Sequence, residues 1–149
     1  MSLPDLIPTI QLAIGPVILI SGVGLLLLTM TNRFGRIIDR TRQLSNSLRA
    51  EPSPKPEAVR AQLTILLTRA RIVRAAIAAA SVSVLLAAVI IIVIFVGALF
   101  KLSFAAVVVV LFASCLLCLI ASLLLFIRDV NLSLSALRLE VGTFQDRAA

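Results

Sequence analysis

Two sets of residues have types and spacings that suit chemistry. Cys115 and Cys118 form a C-x-x-C, the spacing of disulfide exchange or of half a metal site. TNRFGRIIDRTRQL, residues 31–44, sets four arginines and one acid along a helix-compatible stretch. For the thiols, the surroundings decide against reactivity. Both lie in the middle of an apolar run with no basic side chain nearby in sequence to activate them, so they read as small, adaptable packing residues. No histidine occurs anywhere, which removes Ser/His and Cys/His nucleophiles, an imidazole base, and any histidine ligand for zinc or haem. The acids are few and scattered, namely Asp5, Asp39, Glu51, Glu57, Asp129, Glu140 and Asp146, and no glycine-rich phosphate loop is present. The chain therefore reads as non-enzymatic, with no cofactor and no metal.

The arginine stretch raises a different choice: nucleic acid, lipid surface, or a marker of membrane side. Composition settles the class. Of the 149 residues 60% are apolar, and the mean hydropathy of +1.13 lies far above that of soluble domains. Residues 10–30, 75–100 and 102–127 each supply the roughly 20 apolar residues that cross a hydrocarbon core, and none of the three runs contains an Asp, Glu, Lys or Arg. The first run is preceded by Asp5 and by no basic residue, and it is about twice as long as a signal-peptide core, so it reads as a retained span.

The net charge of +7 would suggest nucleic acid in a soluble chain, but its distribution points to topology instead. Ten of the 14 basic residues lie between spans one and two, three follow span three, and Lys101 alone occupies the other connection. Such asymmetry predicts an outer N-terminus and a cytoplasmic C-terminus. The expected organisation is one domain: outer N-terminus 1–9, spans at 10–30, 75–96 and 104–127, an outer turn at 97–103, and cytoplasmic helical extensions at 31–49, 58–74 and 128–149. Between the first two extensions, AEPSPKPE at 50–57 carries prolines on alternate positions and reads as a turn. Pro56 and Glu57 suit the first turn of the next helix, and Ser103 suits an N-cap for the third.

Each extension keeps a heptad-type seam: Phe34, Ile37, Thr41, Leu44, Leu48; then Val59, Leu63, Leu66, Ala70, Val73; then Val130, Leu134, Leu137, Val141, Phe144. Three such seams predict an all-α membrane protein whose three transmembrane helices extend into a cytoplasmic helical bundle. Within the spans, Gln11, Gly15, Ile18, Gly22, Leu25 and Thr29 form one stripe, next to Pro16, which removes a backbone donor. Ala79, Ser83 and Ala87, and likewise Ser114, Cys118 and Ser122, recur at intervals of four. These are candidate helix-packing or pore-facing residues, serving within the chain or between copies.

The candidate inner-interface polar cluster comprises Arg33, Arg36, Asp39, Arg40, Arg69, Arg71, Arg74, Arg128 and Asp129. Its basic surplus suits anionic lipid headgroups, each charge contributing roughly 1 kcal/mol of attraction. The expected function is a self-associating assembly or accessory protein, and the alternative is a homo-oligomeric channel or permeation pathway.

Four segments, IQLAIGPVILISGVG, RFGRIIDRTRQL, the RARIVRAAI leading into span two, and FIRDVNLSLSAL after span three, resemble the bacterial domain-of-unknown-function family 2721. The resemblance covers most of the chain and rests mainly on Gln11, Pro16, Arg33, Arg36, Asp39 and Arg40, with Arg69, Arg71 and Asp129 beside them. It implies a small three-span protein of the bacterial inner membrane, and carries over no activity. At position 129 the resemblance leads us to expect Glu more often than the Asp that stands there, which keeps the charge on a shorter reach.

Overall fold

The computed structural model describes the backbone of residues 3–50, 56–100 and 105–145, and side chains over 7–46, 62–100 and 105–133. Within those residues the chain forms three helices, α1 (Leu3–Ala50), α2 (Pro56–Phe100) and α3 (Ala105–Gln145). The stretches Ile7–Asn46, Gln62–Phe100 and Ala105–Ser133 are long and apolar enough to cross a membrane. At 48 residues α1 is about 72 Å long, more than twice a hydrocarbon core of about 30 Å. The sequence lets it run on because no proline follows Pro16 until the cluster after Ala50. Residues 51–55, Lys101, Ser103 and the last four residues, with the turn and cap expected there, lie outside the described residues, as do the side chains of the seams beyond Asn46, before Gln62 and after Ser133. Where the outer turn was expected to begin, Gly97 is still helical, since α2 continues to Phe100.

The chain divides into two compact units. Met1–Thr29 with Ile77–Ser122 forms the first, and Met30–Ala76 with Leu123–Ala149 the second. In the first unit the core is Ala87, Ile90, Ile94 and Cys115, with Leu19 and Ile20 from α1 and Val108 and Leu111 from α3 packed against it. Small side chains govern the contact. Lipid tails are as apolar as leucine, so helices here associate through close packing rather than through escape from water, and fully buried Ala80 and Ser83 permit that closeness. Large side chains point outward instead, Leu25 at 70% and Leu117 at 67% exposure, as lipid-facing residues should.

Polar groups in these helices are satisfied locally. The hydroxyls of Ser21, Thr29 and Ser81 donate to the carbonyls of Val17, Leu25 and Ile77, each one turn back. Ser83 is used between helices: the Cys115 thiol donates to its carbonyl at 3.2 Å, and its Oγ lies 3.3 Å from the sulfur. Both cysteines are free thiols, Cys115 buried and Cys118 half-buried.

Burial on α2 follows an unbroken three-four rhythm through Val73, Ala76, Ala80, Ser83, Ala87, Ile90 and Ile94. On α1 the buried positions are Ala13, Pro16, Val23, Met30 and Ile37, with Ile20, Leu27, Phe34, Thr41 and Leu44 half-buried between or after them. The seam predicted only beyond the span thus runs the described length of the helix.

Candidate functional site

In the second unit, the three helices converge on one carboxylate. Arg33 on α1 places Nε 2.8 Å from Asp129 Oδ2, and Arg69 on α2 places Nε 3.1 Å from Asp129 Oδ1. Asp129, on α3, is fully buried, while the two arginine side chains retain 26% and 15% exposure. Arg69 donates a true hydrogen bond to Oδ1. The Arg33 contact is a charge pair only, because its Nε–H is not directed at Oδ2, which is buried and accepts no hydrogen bond among the described residues. A carboxylate removed from water is costly unless opposite charge accompanies it, and here each oxygen faces its own guanidinium.

Helical spacing explains the assembly. Phe126, Asp129 and Ser133 are three and four residues apart on α3 and share one face. The Phe126 ring receives the Arg33 guanidinium at 5.6 Å from its centroid, within the range of a cation–π contact. Arg33 is therefore held by both the ring and the acid. On α1, Arg33, Arg36, Ile37 and Arg40 likewise follow one face, where Ile37 is buried and the arginines border it.

Beside the pair lies a cavity of about 300 Å³, lined by Arg33, Arg36, Ile37, Arg40, Leu66, Arg69 and Ser133. Arg33, Arg36, Arg40, Arg69 and Ser133 thus border one recess, Arg36 and Arg40 from its exposed side, and among the described residues no acid lines it. Asp129 takes the Nε edge of Arg33 and of Arg69; no other polar partner is found for either side chain among the described residues. The terminal nitrogens, four N–H donors on each, are left for other acceptors.

Of the predicted polar cluster, Arg33, Arg69 and Asp129 are in direct contact and Arg36 and Arg40 join them at the cavity. Asp39, Arg71, Arg74 and Arg128 are exposed and line no part of it. In the first unit, Pro16, Ser83, Ala87 and Ser122 are buried, and Ala79, Ser114 and Cys118 half-buried. Gln11, Gly15, Gly22 and Thr29 are exposed along with Ile18 and Leu25, so most of the α1 stripe is open, while Gly15 borders a cavity that α2 and α3 side chains also line. Near Pro16 a second cavity, about 490 Å³, is lined by apolar residues including Leu12, Ile94, Val108 and Phe112.

Sequence reasoning missed Phe126 and Ser133. Their spacing from Asp129 was a usable signal, hidden because one closes an apolar run and the other opens a polar tail. Among the described residues no group of three or more His, Cys, Asp or Glu could hold a metal ion.

Comparison with known proteins gives a family match. The family described as "Protein of unknown function (DUF2721)" matches residues 13–139, a span that includes every residue of the cavity and of the ion pair. No curated protein and no solved structure matches the chain. With well over half its length matched, this three-helix membrane chain belongs to the DUF2721 family.

Proposed function

We propose that this chain is a non-enzymatic membrane assembly or accessory protein that self-associates through the open face of α1. The observation that carries the reading is the state of Gly15 and Gly22: both are exposed, and a Cβ built on either would meet nothing within 4 Å. Small residues one heptad apart on an apolar helix permit a close neighbour; among the described residues nothing reaches Gly22, and Gly15 borders a cavity that α2 and α3 line without filling. The residues with chemical potential are occupied structurally: Asp129 with two arginines, and Cys115 with Ser83.

In this reading the protein sits in the bacterial inner membrane with its N-terminus outside. Its basic unit forms a helical bundle at the cytoplasmic face, among anionic headgroups. The thirteen-to-one distribution of basic residues supports that orientation. A cysteine introduced at Ser53 is accordingly expected to resist an impermeant thiol reagent in intact cells and to react after permeabilisation; labelling of intact cells would reverse the orientation.

The function is tested by reconstituting the full chain in liposomes, with cross-linking and ion flux read together. Cross-linked oligomers and silent membranes are expected. Gly22→Leu should leave the melting temperature within a few degrees, since the added side chain meets open space, yet reduce cross-linking several-fold. Selective conductance abolished by substituting Gln11 or Thr29 would replace this reading with a pore, and a monomer at all densities would remove self-association.

A further inference from the structure

We infer that the arginine-lined cavity of the second unit binds a terminal phosphoryl group, a phosphate monoester or a diphosphate. The inference rests on the proposed role only in placing the basic unit at headgroup level. Its own basis is the geometry of the recess. Arg33, Arg36, Arg40 and Arg69 line a space of about 300 Å³ together with Ser133. Among the described residues the carboxylate paired with these arginines is Asp129, buried against the Nε edges of Arg33 and Arg69, while Asp39 is exposed and lines no part of the space.

That commitment makes Asp129 a positioning residue. By accepting a hydrogen bond from Arg69 and pairing its charge with Arg33, whose guanidinium also lies over the Phe126 ring, it positions both side chains before a ligand arrives and leaves their terminal forks available. Less ordering remains to be done on binding.

The ligand class follows from charge and shape. A terminal phosphoryl carries about 1.5 to 2 negative charges at neutral pH and presents three acceptor oxygens, which several forks can engage together. A phosphodiester offers one charge and fewer open oxygens, and a carboxylate fills little of the space. Either a lipid headgroup or a free phosphate compound can supply the group. Sequence position brings the lipid source within reach, because Arg33, Arg69 and Asp129 lie at the polar ends of the three apolar runs.

The test is calorimetric titration of the purified full chain in neutral detergent. One arm uses sodium pyrophosphate. The other uses micelles doped with phosphatidic acid or, at matched surface charge, with phosphatidylglycerol, a diester. Saturable binding of pyrophosphate identifies a free phosphoryl compound as ligand; saturation by phosphatidic acid, well ahead of phosphatidylglycerol, identifies a headgroup.

In whichever arm saturates, Arg36→Gln and Arg40→Gln should each raise Kd about tenfold, the usual weight of a charge-assisted pair. Arg42→Gln removes the same charge from an exposed site on the same helix outside the cavity and should change Kd by less than about twofold, as a rim charge does. No saturation in either arm, or equal weakening by all three variants, would overturn the inference. Equal response to both lipids would also overturn it while leaving the general attraction to anionic surfaces intact. Self-association, read by cross-linking on the same samples, reports separately on the proposed function.

Discussion

Asp129→Asn is expected to lower the stability of the purified chain by about 3 kcal/mol, near the lower end of what breaking a buried ion pair costs. The carboxylate is fully buried and serves two guanidiniums at 2.8 and 3.1 Å, so an isosteric amide leaves two positive charges facing a neutral group. The lower end applies because Arg33 and Arg69 keep 26% and 15% exposure and regain part of their hydration. Asp129→Glu preserves charge but forces an extra methylene into a site without free surface, and should cost about 1 to 3 kcal/mol by overpacking. Thermal or denaturant unfolding in neutral detergent, followed by circular dichroism, checks both. A D129N chain that melts with the unsubstituted protein would show that the pair does not hold the unit together.

The second large effect is expected at Ser83. Leucine there should destabilise the first unit by about 3 kcal/mol or prevent its accumulation, because enlargement of a closely packed site displaces its neighbours. Ser83 is fully buried and in contact with Cys115 through both its hydroxyl and its carbonyl, so the larger side chain has to move α3 or leave its rotamer. No hydrophobic gain offsets that strain, since the displaced surfaces meet lipid as apolar as themselves. Ser81 provides the internal comparison. It is exposed and bonds only its own helix, at the Ile77 carbonyl, and Ser81→Leu should stay within about 0.5 kcal/mol of the parent. Equal melting of the two variants would remove the tight α2–α3 contact from this account.

Much of the architecture was legible in the sequence wherever apolar residues stand at helical spacing among charged ones. Beyond the span, Phe34, Ile37, Thr41 and Leu44 stand out among charged neighbours, and the described structure turns all of them inward; Leu63, Leu66, Ala70 and Val73 do the same on α2. Inside the first span nearly every residue is apolar, so periodicity alone does not choose a face. The stripe Gln11, Gly15, Gly22, Thr29 drew attention by its polarity and small size, yet the buried seam is Ala13, Pro16, Ile20, Val23, with ordinary apolar residues. On α2, intervals of four suggested Ala79, Ser83 and Ala87; the alternating rhythm that two-sided helix packing requires substitutes fully buried Ala80 for half-buried Ala79.

The polar site was legible as a list and not as an arrangement. Arg33, Arg69 and Asp129 come from three helices, and no local spacing couples residues so far apart in the chain. Local spacing did hold what the list lacked: Phe126 and Ser133 lie three residues before and four after Asp129, on the face that meets Arg33 and lines the cavity.

Buried polar residues in this chain join helices, with Asp129 as the partner that Arg33 and Arg69 share. A double-mutant cycle on Arg69→Gln and Asp129→Asn, measured by unfolding in neutral detergent, tests it most directly. If the two groups act as one unit, the double variant should be more stable than the summed single losses predict, by a coupling of about 1 to 3 kcal/mol. Losses that add to within about 0.5 kcal/mol would mean that the two residues act independently, and would contradict the account.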